Sequence, residues 1–266
     1  MSAATAENTP PSIMSGAGIP LSRLVTVELR RMFDTRAGFW LMASVAIVSA
    51  IATIAVILFA DDSILTYGTF AAAIGFPLGM ILPVIAILSV TSEWSQRTGL
   101  VTFTMEPRRS RIVWSKGIAC VIVAVVAMAV ALVIGAVGNL LGAALTGVDL
   151  TWDLSFDDIW KLVLGNVIGL LQGFAFGVLI RNSPGAIVAY FAYSFALPTL
   201  TGVLAAFQDW FADIQKWIDF STAQAPLFSG SSVSGEEWAQ MLTSGSVWLL
   251  LPLVVGIFTL LRAEVK

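Results

Sequence analysis

Catalysis needs nucleophiles, bases or metal ligands, and this sequence is short of all three. It has no histidine and a single cysteine, Cys120, set in the middle of an apolar run. Without an imidazole no Ser-His or Cys-His nucleophile can be assembled. One thiol makes no disulfide framework and argues against a zinc or haem centre, so Cys120 reads as a small packing residue. The four lysines follow Ser115, Trp160, Gln215 and Val265, so there is no Gly-Lys pair and no phosphate loop. The carboxylates lie at the ends of apolar blocks or between them, which leaves no acid pair inside a membrane for an intramembrane protease. The chain therefore reads as a non-enzyme with no metal or cofactor of its own.

The polar groups inside apolar blocks are amides and hydroxyls: Asn139, Asn166, Gln172, Ser194 and Thr201. Such groups either hydrogen-bond neighbouring helices or meet a passing substrate. Asn139, Asn166 and Gln172 are the pathway candidates. Secondary carriers keep ionisable groups near the bilayer midplane. None lies mid-block here, which disfavours ion-coupled transport by this chain alone. The glycines are more regular. Gly165, Gly169, Gly173 and Gly177 recur every four residues, with Gly138 and Gly142, and Gly75 and Gly79, in other blocks. A stripe of small residues lets two helix backbones approach closely, and the expected neighbour is in the same chain.

These residues must be held by helices in a bilayer. Of the 266 residues, 58% are hydrophobic and 12% charged, against about 45–50% and about 25% in soluble domains. The apolar residues come in blocks of roughly 20, the length that crosses about 30 Å of hydrocarbon as a helix. The blocks are 38–60, 66–92, 118–145, 159–180, 186–207 and 246–261. The second contains Pro77 and Pro83 and should kink. Residues 1–20 are rich in Ser, Ala, Pro and Gly and read as a disordered tail. That leaves 21–266 as one membrane domain. From Leu21 to Arg36, Leu21, Leu24, Val25, Leu29, Met32 and Phe33 share a helical face, with Arg23, Glu28, Arg30, Arg31 and Asp34 assigned to the others. This predicts an amphipathic helix lying in the membrane interface.

Charge gives the orientation, because cytoplasmic loops are enriched in Lys and Arg. With six spans, twelve of the fourteen basic residues fall on one side, and Lys161 and Lys216 alone fall on the other. The opposite side carries eleven acids, among them Asp61, Asp149, Asp157, Asp219 and Glu237. Both termini are therefore expected in the cytoplasm, in a multi-pass protein of the cytoplasmic membrane. Trp40, Trp94 and Trp114 mark inner boundaries, and the other six tryptophans lie near the outer one. Between the last two spans, Phe207, Trp210, Phe211, Ile214, Trp217 and Ile218 form an apolar stripe at helical spacing. A break at Pro226 and a Ser/Gly-rich turn precede a second short stretch with Trp238, Met241 and Leu242. This predicts two short outer helices, with Trp210, Phe211, Trp217 and Trp238 as candidates for an outer gate or interface.

The loop between spans 2 and 3 is about 24 residues long, more than topology requires. It runs Glu93-Trp94-Ser95-Gln96-Arg97-Thr98, then a short helical stretch with Leu100 and Phe103, then Pro107-Arg108-Arg109, and ends at Lys116. An amphipathic helix flanked by basic residues and projecting from a bundle is a docking surface. A contact with anionic lipid is the plainer reading.

The order Glu, Arg-Thr, short helix, Pro-Arg-Arg and Lys resembles the ABC-2 type permease family, the transmembrane subunits of type V ABC exporters. The likeness extends over nearly the whole chain: an elbow helix before span 1, six spans, and short helices between spans 5 and 6. Arg97 departs from the glycine that many members carry before the Thr. The resemblance implies an all-α membrane fold whose loop is a coupling helix seated in a groove of an ATPase subunit. Glu93, Arg97, Thr98, Leu100, Phe103, Pro107, Arg108 and Lys116 would serve ATPase coupling. It also implies separate cytoplasmic ABC ATPase subunits that bind ATP and Mg, a second permease chain as homodimer or heterodimer, and export of a lipophilic or amphipathic cargo. Membrane lipids are partners and nucleic acid is not. The alternatives are a membrane anchor or sensor that docks an ATPase without transport, and a self-sufficient secondary carrier.

Overall fold

The structure, a computed structural model, describes residues 19–95 and 108–262, with backbone alone at Ala37, Glu93, Ser95 and Arg109. The described residues are almost wholly helical and contain no strand. Helix α1 spans Leu21–Asp34, α2 Arg36–Phe59, α3 Tyr67–Ser95, α4 Arg109–Thr146 and α5 Phe156–Ile180. Helix α6 covers Ser183–Phe207, α7 Asp209–Ile218 and α8 Gly235–Arg262. All except α1 and α7 contain a stretch long and apolar enough to cross a membrane, six in all. The protein is thus a multi-pass α-helical membrane protein.

The spans hold together along one stripe of α3. Phe70, Ile74, Leu78 and Leu82 recur every four residues and are fully buried. Ile74, Leu78 and Leu82 share a core with Cys120, Ala124 and Met128 of α4 and Leu170, Phe174 and Val178 of α5, while Phe70 packs with Val56 and Leu65. Helix α5 is the most enclosed span, and its broadest contact is with α3. The outward faces of α2, α4 and α6, including Ile51, Leu58, Val133, Leu141, Val188 and Phe207, are apolar and exposed. Water would not tolerate so much apolar surface, whereas lipid tails solvate it.

The prolines leave distinct marks. Pro77 and Pro83 lie inside α3. Pro83 has no N–H for the carbonyl of Gly79, four residues earlier. The Tyr190 hydroxyl donates to that carbonyl instead, at 3.4 Å. In α6 a π-helical turn at Ala192–Ala196 is followed by Leu197-Pro198, and in α8 one at Ser246–Leu250 is followed by Leu251-Pro252. The wider turn relieves the clash between each proline ring and the preceding carbonyls. Because of the second π turn, the expected second outer helix is not separate. Gly235–Gly245 continues through it into the last span.

The end of the bundle rich in acids is closed by short turns. Gly147 ends α4 at φ 76°, a left-handed cap that favours glycine. The loop after it folds over the start of α3: the Thr151 carbonyl accepts from Tyr67 N, and Asp153 Oδ1 accepts from Gly68 N at 2.6 Å. At the basic end, α5 stops at Arg181, also left-handed, and Asn182 caps α6 by accepting from Gly185 N. That two-residue turn holds α5 and α6 as antiparallel neighbours.

Candidate functional site

Polar groups collect in three places. The first is where α1 meets the bundle at its basic end. Helix α1 packs on α4 with Val25 and Glu28 as its buried residues. At 100° per residue Glu28 falls beside Leu21, Met32 and Val25, so it belongs to the buried face and not to the polar face assigned from the sequence. Its carboxylate accepts from Lys116 Nζ at 2.7 Å, with the two side chains 11% and 3% exposed respectively. Lys116 Nζ also reaches the Ser89 carbonyl at 3.4 Å, and the Ser89 hydroxyl lies 3.1 Å from Cys120 Sγ. One buried charge pair therefore ties α1, α4 and α3 together. Cys120 is fully buried there.

Lys116 is thus engaged inside the molecule. Arg108 is exposed at the start of α4. Glu93 lies in the last turns of α3, with only its backbone described. Arg97, Thr98, Leu100, Phe103 and Pro107, and with them the expected coupling helix, lie outside the described residues, as do residues 1–18 of the expected tail.

The second place is the crossing of α3 and α5, and here the glycines divide. A Cβ at Gly173 would sit 2.7 Å from Pro83 Cβ and O, and one at Gly177 3.3 Å from Ile87 Cα. These two allow close approach to α3 of the same chain. A Cβ at Gly165 would meet the Phe228 ring at 2.4 Å, so this glycine seats an aromatic from the turn after α7. At Gly169 the nearest atom is the Tyr190 hydroxyl at 4.0 Å. That glycine faces space: a half-open cavity of about 420 Å³ between α3, α5, α6 and residues 221–228. Asn166 and Gln172 line it, together with Tyr190, Tyr193 and Ser194. Asn166 donates to the Leu162 carbonyl, which leaves Oδ1 without a partner. Gln172 Nε2 and Tyr193 Oη also lack one within bonding geometry, although the two side chains lie beside each other. Asn139 is elsewhere, donating to the Thr151 carbonyl at 2.9 Å and anchoring the loop after α4.

The third place is the segment between α6 and α8. Asp219 is fully buried. Its carboxylate accepts from Thr201 Oγ1 and Thr222 Oγ1, both at 2.7 Å, and from the backbone N–H groups of Ser221 and Thr222. It pins the segment back onto α6. Helix α7 then has three sides. Phe211 is buried, while Trp210, Ile214 and Ile218 are exposed and apolar, and Asp209 and Asp213 are exposed and charged. Trp217 is half-buried. Trp238, also half-buried, stacks on Trp160 with ring planes 5° apart. Nearby, Lys161 is 2% exposed and pairs with Asp157 and Asp158 at 2.8 and 3.2 Å while donating to the Ser231 carbonyl.

Tyr190 and Tyr193 were not named from the sequence, and Glu28, Lys161 and Asp219 were read only for their charge. Glu28 was detectable by a stricter helical projection, whereas the tyrosines carry no local signal. Nothing local marks Asp219 as buried. Compared with protein-family models and with curated proteins, the sequence finds no match in either.

Proposed function

We propose that this chain is the transmembrane permease subunit of an ATP-driven exporter, of the ABC-2 type that its loop sequence resembles. The observation that carries this reading is the course of α3. At its basic end α3 runs into the long Arg-rich loop, and toward its other end Gly75 and Gly79 line the polar cavity. The 17 residues from Gly79 to Ser95 cover about 24 Å of helix. A push on the loop would therefore travel along one continuous helix to the cavity, with Pro83 as its bending point at the cavity end. Helix α4 is a second lever. Its 38 residues measure about 57 Å, well beyond the hydrocarbon thickness. The Glu28–Lys116 pair would fasten α1, as an interfacial elbow, to that lever.

In this reading the loop-bearing end and both termini are cytoplasmic. Two permease chains form the pathway above two ATPase subunits that bind Mg and ATP, since closed symmetric dimers are the default for such assemblies. Nucleotide-driven closure of the ATPases moves the loop. That motion drives transport only if the two permease states bind the loaded ATPases with different free energy. Helix α7 would sit at the outer interface with Trp210, Ile214 and Ile218 in lipid.

The test is to purify the tagged chain from its native membrane in mild detergent and identify what accompanies it. A stoichiometric partner with a phosphate-loop ATPase domain is expected, and Arg108→Glu should weaken its retention. A chain that purifies alone would overturn the reading.

A further inference from the structure

We infer that the cavity between α3, α5 and α6 is a ligand site complete within one chain, and that its ligand is a small uncharged amphipathic molecule arriving from the hydrocarbon. Three observations converge. Asn166, Gln172 and Tyr193 are each more than nine-tenths buried and line this cavity; Gln172 and Tyr193 lie side by side and face each other, and Asn166 Oδ1 has no partner among the described residues. Buried polar groups in native proteins are nearly always bonded, so the bare Asn166 Oδ1, beside a loosely paired amide and hydroxyl, marks a place where bonding is completed by something else. They offer a carbonyl acceptor, an amide donor and a hydroxyl. The matching head therefore has both a donor and an acceptor, as a hydroxyl, glycerol or amide group does.

The rest of the lining excludes charge. No residue around the cavity is ionised, and Phe76, Phe191, Phe195 and Phe228 contribute apolar walls. A charged head would be desolvated with nothing to compensate it. The volume of about 420 Å³ falls in the range of about 300–1,000 Å³ typical of small-molecule pockets. It suits one short chain with its head and is too small for a whole two-tailed phospholipid. Phe76 and Phe195 line it and are 71% and 51% exposed on helices apolar enough to span a membrane, so the side they flank is apolar and accessible to lipid tails. Gly169 keeps the floor open, because a side chain there would project into the cavity and not into another helix.

This inference does not rest on the permease reading, because binding needs no ATPase and no flux. The test uses the full chain in phosphatidylcholine nanodiscs, titrated with 1-monooctanoylglycerol and followed by native mass spectrometry. Saturable uptake of one molecule per chain is expected. Octanoate and octyltrimethylammonium, with the same tail and opposite charges, should not compete. Asn166→Leu should weaken binding about tenfold, the scale of one hydrogen bond to an otherwise unpaired buried group. Gly169→Leu should abolish binding by filling the space. Melting curves of both variants must match the parent, and Gln172→Met serves if Asn166→Leu does not fold. Non-saturable uptake, equal competition by the charged amphiphiles, or unchanged binding in folded Gly169→Leu would each overturn the assignment.

Discussion

The buried pair between Glu28 and Lys116 gives the sharpest quantitative expectation. Both side chains are almost fully removed from solvent and their charged atoms are 2.7 Å apart. Each ion carries a desolvation cost of several kcal/mol, which the partner offsets at close range. Removing Lys116 leaves the Glu28 carboxylate buried without its cation, and removing Glu28 takes from Lys116 its 2.7 Å partner. Lys116→Met should therefore destabilise the chain by about 3–5 kcal/mol, and Glu28→Leu, which leaves Lys116 its other contacts, by an amount at the lower end of that range. The double variant replaces the pair with apolar groups of similar volume and should return to within about 1 kcal/mol of the parent. The Ser89 carbonyl loses a long 3.4 Å contact in the Lys116 variants, which is a minor effect beside the charge. Equilibrium unfolding in mixed micelles, with all four proteins in one double-mutant cycle, measures the coupling directly. Single variants within about 1 kcal/mol of the parent, or costs that simply add, would refute the claim that α1 is fastened to α4 by charge.

Four further outcomes are expected. Gly173→Ala should cost about 1–3 kcal/mol by forcing α3 and α5 apart, because the added carbon would meet Pro83 at 2.7 Å. Gly169→Ala, with open space beside it, should stay within about 0.5 kcal/mol by the same unfolding assay. Asp219→Ala strands two hydroxyls and two backbone N–H groups. Hydrogen exchange should rise across residues 209–228 while α3 and α5 keep their protection. In a variant retaining Trp210 as its sole tryptophan, brominated lipid should quench fluorescence and aqueous iodide should not. The opposite pattern would remove α7 from the membrane surface.

The spans were legible because the bilayer imposes a one-dimensional demand. About 20 consecutive apolar residues are needed whatever they touch, and that is countable along the chain. The glycine stripe on α5 was legible as a close approach, since only absent side chains permit one. Its partners were not. Gly173 and Gly177 lie on α3, Gly165 holds Phe228, and Gly169 holds nothing. The same spacing thus serves three different ends. The π turns before Pro198 and Pro252 were hidden because a mid-helix proline can be accommodated by a kink, a π turn or a side-chain donor, and packing chooses among them.

Composition and periodicity alone determined that this is a six-span helical membrane protein with segregated charge. They also determined that the chain lacks histidine-based nucleophiles and a phosphate loop of its own. Pairing was decided only in three dimensions. Glu28 and Lys116 are 88 residues apart and Thr201 and Asp219 are 18 apart, and no local pattern links either pair. Hydropathy reports what a residue costs to move out of water, averaged over surroundings. Which donor meets that residue once it has moved, and whether a polar atom such as Asn166 Oδ1 is left bare in a cavity wall, depends on how the helices cross.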